Sequence, residues 1–558
     1  MVAARLRAAK ACCNIVLVFL ALTCATGLRA ADNPPGRVGR ISYLKGKVSF
    51  LPAGHDQWSE ATLNYVVTTG DRIYTDEGAR AEIEVGAYAI RLSEKTDLVI
   101  TNLTDKVVHV GVNQGTIRLS VYKMQSGDTV EGDTPNGALT VLSEGKYRVE
   151  VRPDQNVTLV AVNHGKLQIT GGDVSQTIEA GQAVKLSGQD PPKVESASAP
   201  AADSFDQWCE ERDQRLGSSA SSKYVNTFTP GYEELDSYGR WVVEAAYGSV
   251  WFPTVAADWV PYRFGHWAWI DPWGWTWIED EAWGFVPFHF GRWVLIGGVW
   301  GWVPGPVLMA PVYAPAFVAF VGPSLSIGVS VGWVGWFPLG PDEPFFPWYF
   351  YTVDYLRIIN ITNIRNVTNI ENIINVSNIN RIHYRYRTIA TTAVPPDVFR
   401  NGLPVAHRAM SIPREQLAKA PIIPHPALNP TERAVMPGKP VSHLPVRTLP
   451  RVASTPAPRG APTPPPSEHR TSPTAAPEAP PHAVEKTPEL PMRRLITRLE
   501  PPPPPVDFSE VRPALDAHPG RALEPEQLEN LRVGRPAGPM MGKEFPPHIA
   551  APAHRPHR

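Results

Sequence analysis

Four tryptophans, Trp267, Trp269, Trp275 and Trp277, stand beside Arg263, His266, Asp271 and the run Glu279-Asp280-Glu281. Flat indole rings with a few polar neighbours could stack on sugars or other flat apolar ligands. The same rings could instead form the core of a small domain, since one Trp buries about 200 Å²; the core reading is preferred. The acidic run invites a general acid/base reading. That chemistry needs two carboxyls at a fixed separation whose environments split their pKa values. Consecutive residues at a strand end give no such geometry, so a solvated strand end is the better reading. Phosphate-loop, Gly-x-Ser-x-Gly, His-Glu-x-x-His, Cys-x-x-Cys and EF-hand spacings are absent. A spatial triad needs no local motif. With none in view the expectation is a protein that is not an enzyme, with no catalytic residue, no metal ligand and no cofactor. The ligand-binding candidates are Trp267, Trp269, Trp275, Trp277, Arg263 and Asp271.

These residues need strands to place them. Asp271-Pro272-Trp273-Gly274 reads as a turn, with Pro presetting φ and Gly ending it. Strands His266–Ile270 and Trp275–Asp280 would flank it. Pairing Ile270 with Trp275 puts Trp269 opposite Thr276 and Ala268 opposite Trp277. Side chains alternate across a strand, so Trp267 and Trp269 would share one face, and Trp275 and Trp277 the other.

The hairpin is one copy of a repeat. Gly239-Arg-Trp241, Gly265-His-Trp267 and Gly291-Arg-Trp293 recur every 26 residues, and twelve of the 17 Trp fall between 241 and 302. Trp259-Val-Pro-Tyr-Arg-Phe-Gly-His-Trp267 aligns without a gap with Phe285-Val-Pro-Phe-His-Phe-Gly-Arg-Trp293. A fixed period implies one supersecondary unit stacked on itself. With Gly332-Trp-Val-Gly-Trp-Phe-Pro338, which completes the unit 230–350, the region from roughly 230 to 400 resembles a Trp-rich bacterial domain of unknown function that often follows FecR-like domains. The resemblance implies a cell-envelope context and no reaction.

Residues 37–190 alternate apolar and polar side chains in short runs such as Ala81-Glu-Ile-Glu-Val85 and Val157-Thr-Leu-Val-Ala-Val162, separated by Gly/Asp/Asn turns. That is the pattern of an antiparallel β-sandwich or roll. Gly39-Arg-Ile-Ser-Tyr-Leu-Lys-Gly-Lys-Val48, Val67-Thr-Thr-Gly-Asp-Arg-Ile-Tyr-Thr-Asp-Glu-Gly-Ala79, Gln114-Gly-Thr-Ile-Arg118, Val162-Asn-His-Gly165 and Ile178-Glu-Ala-Gly-Gln182 follow in an order that resembles the FecR-like periplasmic domain family. Glu144-Gly-Lys-Tyr147 departs from the family's Gly-Thr-x-Phe. The resemblance implies a periplasmic interaction domain. The family's transmembrane signalling role does not carry over, because no cytoplasmic segment precedes the single apolar run Ile15–Leu22.

That run follows Arg5, Arg7 and Lys10 and precedes Ala30-Ala31, as in an export signal over 1–31. It is too short to span a bilayer. Cys209 is the one cysteine beyond residue 31, so no intrachain disulfide holds the fold. Residues 191–229 read as a linker. Within 351–388, Asn recurs every third residue from Asn360 to Asn378, a period that suits neither helix nor strand. Of the 60 Pro, 38 lie after residue 388, so 389–558 reads as a disordered tail favouring polyproline II. A formal charge of −1 gives no field for nucleic acid.

The fold class expected is therefore mainly β: a FecR-like sandwich or roll, a Trp-rich hairpin-repeat domain, and a Pro-rich tail. The function expected is a non-catalytic exported interaction or scaffold protein, periplasmic or secreted, with no transmembrane helix in the mature chain. Its partner would be an envelope protein. A carbohydrate-binding module for cell-surface polysaccharide, built on the Trp repeats, is the alternative.

Overall fold

The computed structural model describes residues 33–189, 191–323, 332–363, 382–441 and 495–532. The proposed export signal, residues 364–381 of the Asn tract, and residues 442–494 and 533–558 of the tail lie outside the described residues. The chain is mostly β, with 36% strand against 18% helix. Among the described residues no helix is long and apolar enough to cross a membrane.

Residues Gly39 to Ala197 form two largely antiparallel sheets joined through one long strand, Val107–Val121. Its first half pairs with Asp97–Leu103 and, in parallel, with Thr129–Thr134. Its second half pairs with Tyr88–Leu92 and Gly145–Arg152. The crossover falls at Gly115, where φ is +87° and a Cβ would meet Thr96 at about 2.4 Å. Only Gly fits there, which accounts for the Gln114-Gly-Thr-Ile motif. Phe50, Ile73, Ile83, Ile90, Leu98, Val112 and Ile117 are buried in the common core.

The segment read as a linker is ordered. Lys193–Ala197 adds a strand, and Ser204–Gly217 is an α-helix opened by a capping box between Asp203 and Asp206. Phe205, Trp208, Cys209 and Asp213 are buried beneath it. The helix covers the face that strand alternation assigns to solvent. Arg148 pairs with Asp203 and Asp206, Arg118 and Lys146 with Glu210, and Arg91 with Asp213. Burial pushes the Cys209 thiol up to about 12, which leaves it inert and unavailable for an intermolecular disulfide.

The three repeats are three hairpins: Gly239–Glu244 with Gly248–Pro253, Gly265–Ile270 with Gly274–Glu279, and Arg292–Ile296 with Val299–Val303. They do not stack in line as the period suggests. The first and third join edge to edge through Trp251 and Trp302 into a four-stranded sheet, while the middle copy stands as its own two-stranded sheet. Each carries a cross-strand Trp pair at the repeated position: Trp241 with Trp251, Trp267 with Trp277, Trp293 with Trp302. The repeated Gly makes room for it. A Cβ on Gly239, Gly265 or Gly291 would lie 2.5–2.8 Å from the ring of Trp251, Trp277 or Trp302. Equivalent residues of successive copies also meet: Tyr262 packs edge-on to Phe288 at 4.8 Å, and its hydroxyl donates to Phe288 O (2.8 Å).

The Trp-rich body extends past its expected end. Val318–Val321, Val334–Pro338, Thr392–Val394 and Ile422–Ile423 build a further sheet, so residues 389–441 belong to the folded body and not to a disordered tail. Residues 495–532 also pack on the body, with helices Phe508–Ala517 and Pro525–Arg532. Asn360 and Asn363, which open the triplet tract, are buried. Asn360 accepts from Phe345 N (2.8 Å) and Asn363 from Gly291 N (2.9 Å), so both act as backbone caps.

Candidate functional site

The middle hairpin differs from its expected register by one residue. Trp267 pairs with Trp277, Trp269 with Trp275 and Ile270 with Gly274. Gly274 adopts φ +73° and so enters the ladder itself, leaving the three-residue loop Asp271-Pro-Trp273. A one-residue slip moves one strand's side chains to the other face. All four tryptophans therefore share one face, where they meet edge-on across the strands at 5.5 and 5.4 Å. Ala268, Thr276 and Ile278 occupy the other face, also buried.

The Trp face is not a platform. Trp267, Trp269, Trp275 and Trp277 are each no more than 2% exposed. Phe320, Trp336 and Trp348 cover Trp267 at 5.3, 5.4 and 6.2 Å, and Phe399, from the segment expected to be disordered, lies 4.5 Å from Trp275. Trp275 Nε1 donates to Leu428 O (3.0 Å), and Trp277 Nε1 to Glu279 Oε2 (2.8 Å). All 17 tryptophans fall among the described residues, and every one but Trp241 is buried. Stacking of a sugar on these rings would require the hairpin to leave its cover.

The polar candidates are dispersed. Arg263 Nε donates to Thr392 Oγ1 (3.3 Å). His266 is held down to about 4 by burial and by Arg433. Glu279 is 2% exposed, and burial raises its carboxyl well above the ordinary range. Asp280 sits outside, 3.9 Å from His266. Asp271 faces open space. With Trp269, Trp273, Tyr65 and Asp71 it lines a cleft of about 800 Å³ between the N-terminal β unit, the middle hairpin and the segment 502–532. Its carboxyl accepts from Trp269 Nε1 (3.2 Å). Asp71 is engaged in the loop itself, accepting from Ala53 N (2.9 Å) and Thr68 N (2.7 Å).

Glu279 gives a pH prediction. Its folded-state pKa lies above the unfolded value, so the folded protein keeps a proton that the unfolded chain releases at about 4.3. Its contribution is complete below that pH and is lost as pH rises. Glu279→Gln should flatten the decline in stability as pH rises above about 4, read as urea midpoints of variant and wild type over a series of pH values. Parallel curves would contradict it.

What sequence reasoning missed is how segments of the chain dock on the N-terminal β unit. Lys439 O accepts from Glu60 N (2.8 Å), and Pro440 bridges Ser59. Ile496 N donates to Thr134 O (3.0 Å), while Arg498 N and Leu499 N donate to Glu131 Oε1 (2.9 and 3.0 Å). Phe508 N donates to Gly54 O (2.8 Å), and the Phe508 ring packs on His55 at 4.7 Å. Pro505 lies 2.6 Å from where a Cβ on Gly70 would sit. The five prolines at 501–505 carried the signal for an extended segment, but nothing in their composition marked a receptor. The same surface holds His109, Glu131 and Asp133, buried neighbours that could hold a metal.

Comparison with known proteins places a match to a family of unknown function, DUF6600, over residues 232–343, the Trp-hairpin body. No curated protein matches the chain. Two crystal structures assigned as an anti-sigma factor from Parabacteroides distasonis ATCC 8503, at 1.65 and 2.50 Å resolution, are similar at 14% and 15% identity with a TM-score of 0.21 each. The overlap covers 23% of this chain and 60% of theirs, so the chain spans well under the full length of those proteins.

Proposed function

We propose that this is a non-catalytic exported protein whose FecR-like N-terminal β unit acts as a docking scaffold for extended segments in the cell envelope. The observation that supports it is the docking itself. Three segments, around Pro440, Ile496 and Phe508, attach to that unit through main-chain hydrogen bonds. Main-chain hydrogen bonds with side-chain pockets are how sheet edges recognise extended peptides. The ordered FecR-like motifs, the short apolar N-terminal run and the Trp-rich body support an envelope setting. The Trp hairpins serve as the rigid base.

Two experiments test the reading. Fractionation should find a mature chain lacking its first 25–31 residues outside the cytoplasm; an intact N-terminus in the cytoplasm contradicts export. In the second, a protease site is placed between residues 442 and 494 of the full chain and cut. The fragment carrying 495–532 should co-elute with the body on gel filtration, and Phe508→Asp with Leu515→Asp should release it. Spontaneous separation of the uncompromised fragment would remove the docking claim.

A further inference from the structure

We propose that His109, Glu131 and Asp133 form a binding site for a divalent transition-metal ion of the zinc class, beneath the docked segment 496–499. The strands create the cluster. Val107–Val121 and Thr129–Thr134 pair in parallel with His109 beside Glu131, and Asp133 lies two residues on, so all three side chains share one face. One donor atom from each lies within 4.8 Å of the other two. His109 Nε2 is 2.6 Å from Asp133 Oδ2 and 3.8 Å from Glu131 Oε1.

Charge is the second, independent observation. All three residues are no more than 2% exposed. Elsewhere in this unit buried carboxylates meet guanidinium groups: Glu82 with Arg91 and Arg212, Glu84 with Arg40, Asp97 with Arg72. Among the described residues Glu131 and Asp133 have no such partner. Their ion-pair contacts among the described residues are to His109 alone. Two carboxyl groups thus face one imidazole in a dry site, with no guanidinium or ammonium group among the described residues to pair with them. Asp133 Oδ1, buried like the rest of its residue, has no hydrogen-bond partner among the described residues. A divalent cation would balance the cluster and take the donor set that imidazole plus carboxylates offers.

The surroundings resemble the outer hydrogen bonds that orient metal ligands. Thr140 Oγ1 donates to Glu131 Oε2 (3.2 Å), and the backbone N–H groups of Arg498 and Leu499 fix Glu131 Oε1.

The test uses the full chain after chelator treatment, titrated with zinc alone by calorimetry and with cobalt(II) by visible absorption. Wild type should bind zinc stoichiometrically at a site that His109→Ala and Asp133→Asn each weaken at least a hundred-fold. Zinc should raise the thermal midpoint of wild type and not of the variants, because a ligand that binds only the folded state stabilises by mass action. Scattered tail histidines could bind zinc too, so a zinc-loaded wild-type crystal should show anomalous density among the three side chains. That measurement needs no variant to fold. Absence of that density, or zinc binding unchanged in both variants, would overturn the site.

Discussion

Trp267→Ala and Trp277→Ala should each lower the stability of the full chain by about 3–5 kcal/mol, since each removes a buried ring and leaves a cavity. Trp267 touches Trp277, Phe320, Trp336, Trp348 and Phe399, so no neighbour is free to fill the space. Trp277→Ala also strips Glu279 of its one indole donor. The double variant should lose less than the sum, because the two rings are in contact and share one cavity. Urea unfolding of the three variants measures this. Near-wild-type midpoints would mean that the hairpin face is not core and would return the aromatic-platform reading to consideration. The full chain is the right material, because Phe399 and Leu428 complete the cover from outside 230–350.

The second large effect lies in the N-terminal unit. Arg91 is buried, with Glu82 Oε2 at 2.5 Å and Asp213 Oδ1 at 2.5 Å, and so ties the helix Ser204–Gly217 to the sheet. Removing one member of a buried ion network strands the others and costs about 3–5 kcal/mol. Arg91→Met keeps much of the volume and removes the charge, so the loss reads the electrostatics. The pH dependence gives the sign. Burial alone would raise Glu82, but Arg91 and Arg212 outweigh it and hold the carboxyl at about 2. A depressed carboxylate stabilises the fold above its unfolded value of about 4.3, and the benefit is lost as pH falls toward 2. The gap between wild type and Arg91→Met should therefore be largest near neutral pH and should narrow below about pH 4. A gap that stays constant in acid would assign the loss to packing.

These two sites show what the sequence made legible. Alternation and turn chemistry placed the strands of residues 37–190, and the 26-residue period placed the hairpins. The pattern could not say what would cover them. Glu82, Arg91, Arg118 and Arg148 stand at positions that alternation assigns to solvent, and a helix built from complementary charges covers them. That helix hid in a polar segment, although Phe205, Trp208 and Cys209 give it an apolar stripe at helical spacing. At Asp271-Pro-Trp-Gly274 the residues signalled a turn but not whether Gly274 would pair. That one residue decides whether four tryptophans share a face.

The tail misled for a related reason. Proline enrichment speaks against an independent core, and residues 389–441 form none. They complete one, placing Phe399 against the Trp face and Ile422–Ile423 on a sheet edge. Composition reports what a segment can bury by itself, not what it can cover. For the candidate site, the preferred reading of the four tryptophans as core agrees with their burial, but what covers them was not legible, since the cover comes from residues up to 153 positions away, as between Trp275 and Leu428. His109, Glu131 and Asp133 were missed because parallel pairing brings together residues 22 or more positions apart, with no local metal spacing to mark them.

The central claim is that the tryptophans are structure and that interaction belongs to the N-terminal β unit. Hydroxyl-radical footprinting of the native full chain, resolved by mass spectrometry to single residues, tests it directly. Trp267, Trp269, Trp275 and Trp277 should be oxidised many-fold more slowly in the native protein than in the urea-unfolded chain, with half-buried Trp241 reacting ahead of them. Oxidation of any of the four at close to its unfolded rate would expose a face of the hairpin and contradict the account.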